Sequence, residues 1–113
     1  MNKGLAAKIL LYCFALLVLV FCLRTGGKDV SEQMYTIGSE YESKQDYIKA
    51  MEYYEKSAEL GNITAMNQIG YMYGKGNGVE KDRVKSLEWY KKAADLGDED
   101  AKKDAENIRE FLQ

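Results

Sequence analysis

Gly74-Lys75-Gly76-Asn77-Gly78 is the run in this 113-residue chain that most nearly has the composition of a phosphate-binding loop. A nucleotide cradle needs Gly-x4-Gly-Lys-Ser/Thr directly after a β-strand, so that backbone N–H groups converge on the phosphates. Neither the spacing nor a strand is present here, and the glycines read as positive-φ positions of a long turn. Asp82 follows as a helix N-cap rather than a catalytic acid. Asp98-Glu99-Asp100 opens another helix, where negative charge complements the macrodipole; a hard-cation site would want oxygens converging on a bent loop, and EF-hand spacing is absent. The chain has no histidine, and Cys13 and Cys22 both lie in the N-terminal apolar run. The rest of the chain therefore lacks thiols and imidazoles for zinc ligation, nucleophilic attack or general-base work. A glycosidase-like carboxylate pair needs two marked acids, and no feature marks a pair. The sequence reads as a non-enzyme with no cofactor and no metal.

The elements that position these residues announce themselves by repetition. Glu52-Tyr53-Tyr54-Glu55-Lys56-Ser57-Ala58-Glu59-Leu60-Gly61 returns 36 residues later as Glu88-Trp89-Tyr90-Lys91-Lys92-Ala93-Ala94-Asp95-Leu96-Gly97. Upstream, Ile37-Gly38-Ser39-Glu40-Tyr41 matches Ile69-Gly70-Tyr71-Met72-Tyr73 at an offset of 32, the second copy carrying four extra residues between its blocks. A period of this length belongs to stacked helical hairpins, none of which buries its apolar face alone. The absence of proline agrees with a helical chain.

Apolar spacing predicts five body helices. The first covers about Ser31 to Glu42, with Met34, Ile37, Gly38 and Tyr41 on one face. The second, about Asp46 to Leu60, buries Ile48, Ala50, Met51, Tyr54, Ser57 and Ala58. Gly61 stops it in the left-handed conformation and Asn62 caps the third, which carries Ala65, Met66, Ile69, Gly70 and Tyr73. The fourth, about Asp82 to Leu96, turns Val84, Leu87, Tyr90, Ala93 and Ala94 inward. Gly97 and Asp98 repeat the stop and cap, and a more polar fifth helix with Ala101, Ala105, Ile108 and Phe111 covers the end. Gly38 and Gly70 are expected to let the paired helix approach closely.

The order Ala65-x3-Ile69-Gly70-x2-Tyr73-Gly74-x-Gly76-x-Gly78-Val79-x2-Asp82-x2-Lys85-Ser86-x2-Trp89-Tyr90-x2-Ala93-Ala94-x2-Gly97-x3-Ala101 resembles a Sel1-like repeat, with Ser86 in place of its usual alanine. The first unit, Met34-x2-Ile37-Gly38-x2-Tyr41-x8-Ala50-x3-Tyr54-x2-Ser57, is closer to a tetratricopeptide repeat. The resemblance spans about Met34 to Ala101. It implies an all-α fold, an α/α superhelical solenoid of two helical hairpins plus a C-terminal capping helix, with an N-terminal apolar helix ahead of it. The family implies adaptors, scaffolds or regulators without a common ligand. In tetratricopeptide repeats the groove is lined by exposed positions of each hairpin's first helix. Carried over by position, the partner-binding residues are Glu32, Tyr35, Ser39 and Glu42 in the first unit, and Thr64, Asn67 and Tyr71 in the second. Tyrosines among polar and acidic groups suit a basic or amphipathic peptide.

Ile9 to Leu23 is an uncharged apolar run preceded by Lys3 and Lys8, the pattern of an export signal or a membrane anchor. Ala-x-Ala is missing downstream, Thr25-Gly26-Gly27 being the nearest substitute. Phe21 is too bulky for the small position of a bacterial lipobox before Cys22. Residues 1–25 are thus a signal peptide or anchor, 26–30 a flexible link, and 31–113 the repeat domain. Residues 1–28 carry four cations and no acid, and the remainder 12 cations against 18 acids. The basic end places the body outside the cytoplasm, membrane-anchored on the periplasmic side, or periplasmic or secreted after cleavage. An acidic body argues against nucleic acid. The expected function is a protein- or peptide-binding adaptor or scaffold at the membrane. The alternatives are an immunity-type inhibitor of a toxin or enzyme and a self-associating structural component, for instance a homodimer covering an exposed end of the short stack.

Overall fold

The computed structural model describes residues 3–113, apart from the side chains of Cys22 and of residues 24–29. Its described residues form five helices: α1 (Lys3–Ser43), α2 (Tyr47–Glu59), α3 (Ile63–Lys75), α4 (Arg83–Asp95) and α5 (Glu99–Leu112). Sequence neighbours pack on one another, α1 with α2, α2 with α3, α3 with α4 and α4 with α5, so two antiparallel hairpins and a final helix stack into a short solenoid. The long axis of 72 Å follows from α1, whose 41 residues run about 60 Å at the usual helical rise.

That single α1 corrects the expected flexible link at 26–30 and the expected start near Ser31. Two adjacent glycines each cost about 1 kcal/mol against alanine in a helix. With helix already formed on both sides, however, continuing through them needs no new nucleus. The N-terminal part of α1, Lys3–Phe21, is long and apolar enough to cross a membrane, and none of it is buried against the body. A spanning helix and a removable signal both meet that description.

The helix ends behave as local chemistry dictates. Asn62, Asp82 and Asp98 accept from the backbone N–H three residues on, Ala65, Lys85 and Ala101, at 3.0, 3.0 and 2.9 Å, and so hold otherwise orphaned donors. Gly61 and Gly97, at φ +91° and +102°, stop α2 and α4. At each stop the next N–H reaches back a full turn, Asn62 to Ser57 O and Asp98 to Ala93 O, which is the Schellman arrangement. Gln45 has the same left-handed geometry after α1, at φ +61°, without being glycine.

Packing is tightest where the repeats align. A β-carbon on Gly38 would lie 2.8 Å from two ring carbons of Tyr54, and one on Gly70 would lie 3.2 Å from the ring of Tyr90. Each first helix thus receives a tyrosine of its hairpin mate flat against a glycine. Small residues complete the contact. Ser57 Oγ donates to Ser31 O and Ser86 Oγ to Gly70 O, both at 2.6 Å, so the serine standing where the repeat usually has alanine closes a buried bond. Ala50, Ala58, Ala65, Ala93, Ala101 and Ala105 are all buried. Three residues expected inside are outside: Ile48 is 73% exposed, Val84 55% and Phe111 66%. Ile48 lies about 120° around α2 from the centre of its buried stripe, and Val84 about 160° around α4 from Ser86. Phe111, at the end of α5, has the Arg83 guanidinium 3.9 Å from its ring centre.

Candidate functional site

The seven carried-over groove positions lie on the solenoid's first-helix row, and the structure divides them into two groups. Glu32, Ser39 and Thr64 are exposed, and Tyr71 is 44% exposed. Tyr35 is half-buried, its ring 5.5 Å from that of Tyr54 and tilted by 36°. Burial, then the charges of Glu42 and Glu32, push its phenol above the ordinary range.

Glu42 and Asn67 are held by the fold itself. Tyr54 Oη donates to Glu42 Oε2 at 2.5 Å, and Gln68 Nε2 donates to the same oxygen at 3.2 Å. One carboxylate therefore ties α2 and α3 to the end of α1, and a charged acceptor makes such bonds stronger than neutral ones. Burial comes first, then the bond to Glu42, in raising the Tyr54 phenol above its ordinary range. Asn67 Nδ2 donates to Asp98 Oδ2 at 2.8 Å, joining α3 to the cap of α5, while Asn67 Oδ1 is buried without a partner among the described residues. Asp98 is held below the usual carboxylate range, first by the Ala101 N–H and then by Asn67. No local pattern reveals these roles, because the partners lie 12, 26 and 31 residues away.

A second feature escapes the carried-over set. Tyr71 forms one wall of a cleft of about 220 Å³ between α3 and α5, with Gly74, Lys75, Asp104 and Asn107 around it and Tyr90 against it from α4. Tyr90 is otherwise core. Burial, then Asp104 and Tyr71, push its phenol up to about 12. The Asp104 carboxyl is also raised, by its surroundings first and then by Asp100 and Asp98. Lys75 Nζ lies 5.8 Å from the centre of the Tyr71 ring. The glycine run singled out for its composition divides in two: Gly74 is helical, and a β-carbon there would lie 3.3 Å from Ser86 Oγ, while Gly76 and Gly78 hold the left-handed turn.

A short α/α solenoid of stacked hairpins belongs to the class of helical repeat proteins. The family model of the Sel1 repeat matches residues 22–62 and 63–98, and the chain belongs to this family. The first unit, read from sequence as nearer a tetratricopeptide repeat, falls under the same model as the second. A Sel1 repeat protein from Oxalobacter formigenes, known from a crystal structure, is 33% identical, with a TM-score of 0.65; the match covers 78% of this chain and 70% of that one. No curated protein matches this chain. Sel1 repeats generally mediate protein–protein interaction.

Proposed function

We propose that this protein is a non-enzymatic adaptor or scaffold that binds a partner protein or peptide along its first-helix row. Residues 1–25 hold the repeat body at a membrane, on its non-cytoplasmic face. The observation that carries this reading is the row itself: Glu32, Ser39, Thr64 and Tyr71 are exposed on a frame whose buried residues are fixed by repeat packing. Tyrosine among polar groups is the composition of interface hot spots. Glu42 and Asn67 serve this face indirectly, by fixing the helices that present it. The unpacked apolar helix supports a tether, and the lysines ahead of its apolar run favour export of the repeat body.

Extending the stack by a second copy at α5 is the less favourable reading. Glu106 stands where Gly38 and Gly70 each receive a tyrosine, and it is exposed. A copy docking there would bury an unpaired carboxylate.

A photoreactive residue placed at Ser39, Thr64 or Tyr71 of the full chain, in native membranes, is expected to crosslink one discrete partner. The same residue at Glu88 or Lys91 should not. Equal capture from both sets would overturn the groove. A reporter active only outside the cytoplasm, fused after Gln113, is expected to be active, and silence would overturn the orientation.

A further inference from the structure

We propose that the cleft between α3 and α5 is a socket for one arginine side chain of the bound partner, with Tyr71 as its stacking face and Asp104 as its counter-charge. The proposal rests on the protein-binding reading above and gives that reading a chemical specificity.

The two hairpins supply the argument, because the chain fills this place in one of them and leaves it open in the other. In the first, Tyr54 meets Glu42, and Glu42 meets Gln68. The repeat-equivalent positions in the second are Tyr90, Gly74 and Asp104. Glycine replaces the glutamate, so the space that a side chain fills beside Tyr54 remains as the cleft beside Tyr90. Its volume of about 220 Å³ falls below the range of about 300–1,000 Å³ typical of whole-ligand pockets, so it suits a single side chain.

Charge then selects which side chain. The amide donor Gln68 of the first unit is an acid, Asp104, in the second. The described residues give Asp104 no ion pair, and its neighbours Asp98 and Asp100 are also acids. Asp100 has only Lys103 at 4.0 Å, with both side chains largely exposed, a weak pair. A carboxylate deposited where Glu42 sits in the first unit would face Asp104 with Asp98 and Asp100 behind it, whereas a cation would find them as counter-charge, opposed by the one ammonium of Lys75 on the cleft wall. The chain also shows that the Tyr71 ring takes a cation, since the Lys75 ammonium lies over it. Arginine fits better than lysine, because a planar guanidinium stacks on the ring while its forked N–H groups reach Asp104 and the Asn107 side-chain carbonyl. Lys75 then competes with the incoming group.

The test uses the full isotope-labelled chain in non-ionic detergent micelles, titrated with N-acetyl-arginine amide, its lysine analogue and the uncharged citrulline analogue, and followed by backbone amide shifts. Arginine amide is expected to give saturable shifts at Tyr71, Gly74, Asp104 and Asn107, with citrulline about fivefold weaker and lysine between them. Asp104→Asn should weaken arginine about threefold and leave citrulline unchanged. Lys75→Ala, which removes the competitor, should strengthen arginine. Equal binding of arginine and citrulline, or arginine binding indifferent to both substitutions, overturns the socket. Crosslinking from Ser39, Thr64 or Tyr71 with no arginine shifts at the cleft would remove the socket and leave the protein-binding reading standing. Arginine shifts without any crosslinked partner would remove that reading instead.

Discussion

The first hairpin is locked and the second is open, though both are built on the same tyrosine-on-glycine contact. Beside Tyr54 stand Glu42, Gln68 and Tyr35, each in contact or bonded. Beside Tyr90, Gly74 leaves room, and the tyrosine has no side-chain hydrogen bond among the described residues. The difference shows how a duplicated frame becomes asymmetric without changing its core. Buried positions that meet the other helix of the hairpin (Gly38 and Gly70, Tyr54 and Tyr90) are kept alike, because changing one would require a compensating change in its mate. Positions one turn further along, such as Glu42 and Gly74, differ freely and decide whether a hairpin closes on itself or offers a cleft.

Removing one hydroxyl from each hairpin tests that asymmetry most sharply. Tyr54→Phe deletes a bond to a half-buried carboxylate and should cost about 2 kcal/mol, read as a shift in chemical unfolding of the full chain in micelles. Tyr90→Phe should cost under about 0.5 kcal/mol. Equal losses would mean that the second tyrosine is held as firmly as the first. Adding a methyl group to the glycines gives the next contrast. Gly38→Ala forces a carbon to 2.8 Å from a ring fixed by three neighbours. Overpacking of about 1–3 kcal/mol outweighs the helix-propensity gain of up to about 1 kcal/mol. Gly70→Ala meets a ring at 3.2 Å with a cleft behind it, so the two terms should nearly cancel. Destabilisation by Gly70→Ala as large as by Gly38→Ala would show that the cleft gives Tyr90 no freedom to move.

What the sequence reveals of this frame is what depends on near neighbours or on the repeat. Asn62, Asp82 and Asp98 are readable as caps because a cap's partner is three residues away. Gly61 and Gly97 are readable as stops because the left-handed position selects for glycine. Gly38 and Gly70 are readable because the second copy reports on the first. Ile48 and Val84 mislead because apolar character by itself does not set the phase of a stripe, and surface isoleucine and valine are ordinary. Glu42 and Asn67 mislead differently: an exposed position carried over from a family says nothing about a partner donated from another helix. The α3–α5 cleft had one signal in the sequence, the exchange of glutamate for glycine between positions 42 and 74. That signal gains meaning only when Tyr54 is seen bonded to the glutamate.

The stops of the hairpins sharpen the comparison in a smaller way. Gln45 ends α1 at φ +61°, whereas Gly76 ends α3 at φ +75°. A residue with a β-carbon costs about 1 kcal/mol in that region. Gln45→Gly should therefore stabilise the full chain by up to about 1 kcal/mol, offset by the larger backbone entropy that glycine brings to the unfolded state. A loss of stability would show that the Gln45 side chain contributes contacts of its own.

The effect of pH is the smallest expected change, and its direction follows from opposed groups. Asp98 has a folded pKa below its unfolded one. Its contribution is fully present above the unfolded value of about 4 and is lost as pH falls through the folded value. Asp104 and Glu55 are raised, chiefly by their surroundings and then by neighbouring acids. Their ionisation opposes folding, so protonating them as pH falls works the other way. The net acid profile of the native chain mixes the two. Asp98→Asn separates them, because asparagine caps α5 nearly as well but cannot titrate. The stability difference between native chain and variant should hold steady from about pH 7 to pH 5 and shrink below about pH 4. A difference constant down to about pH 2.5 would mean that the Asn67–Asp98 bond joins the second hairpin to α5 without depending on the aspartate's charge, leaving the hydrogen-bond geometry alone to hold the cleft's two walls together.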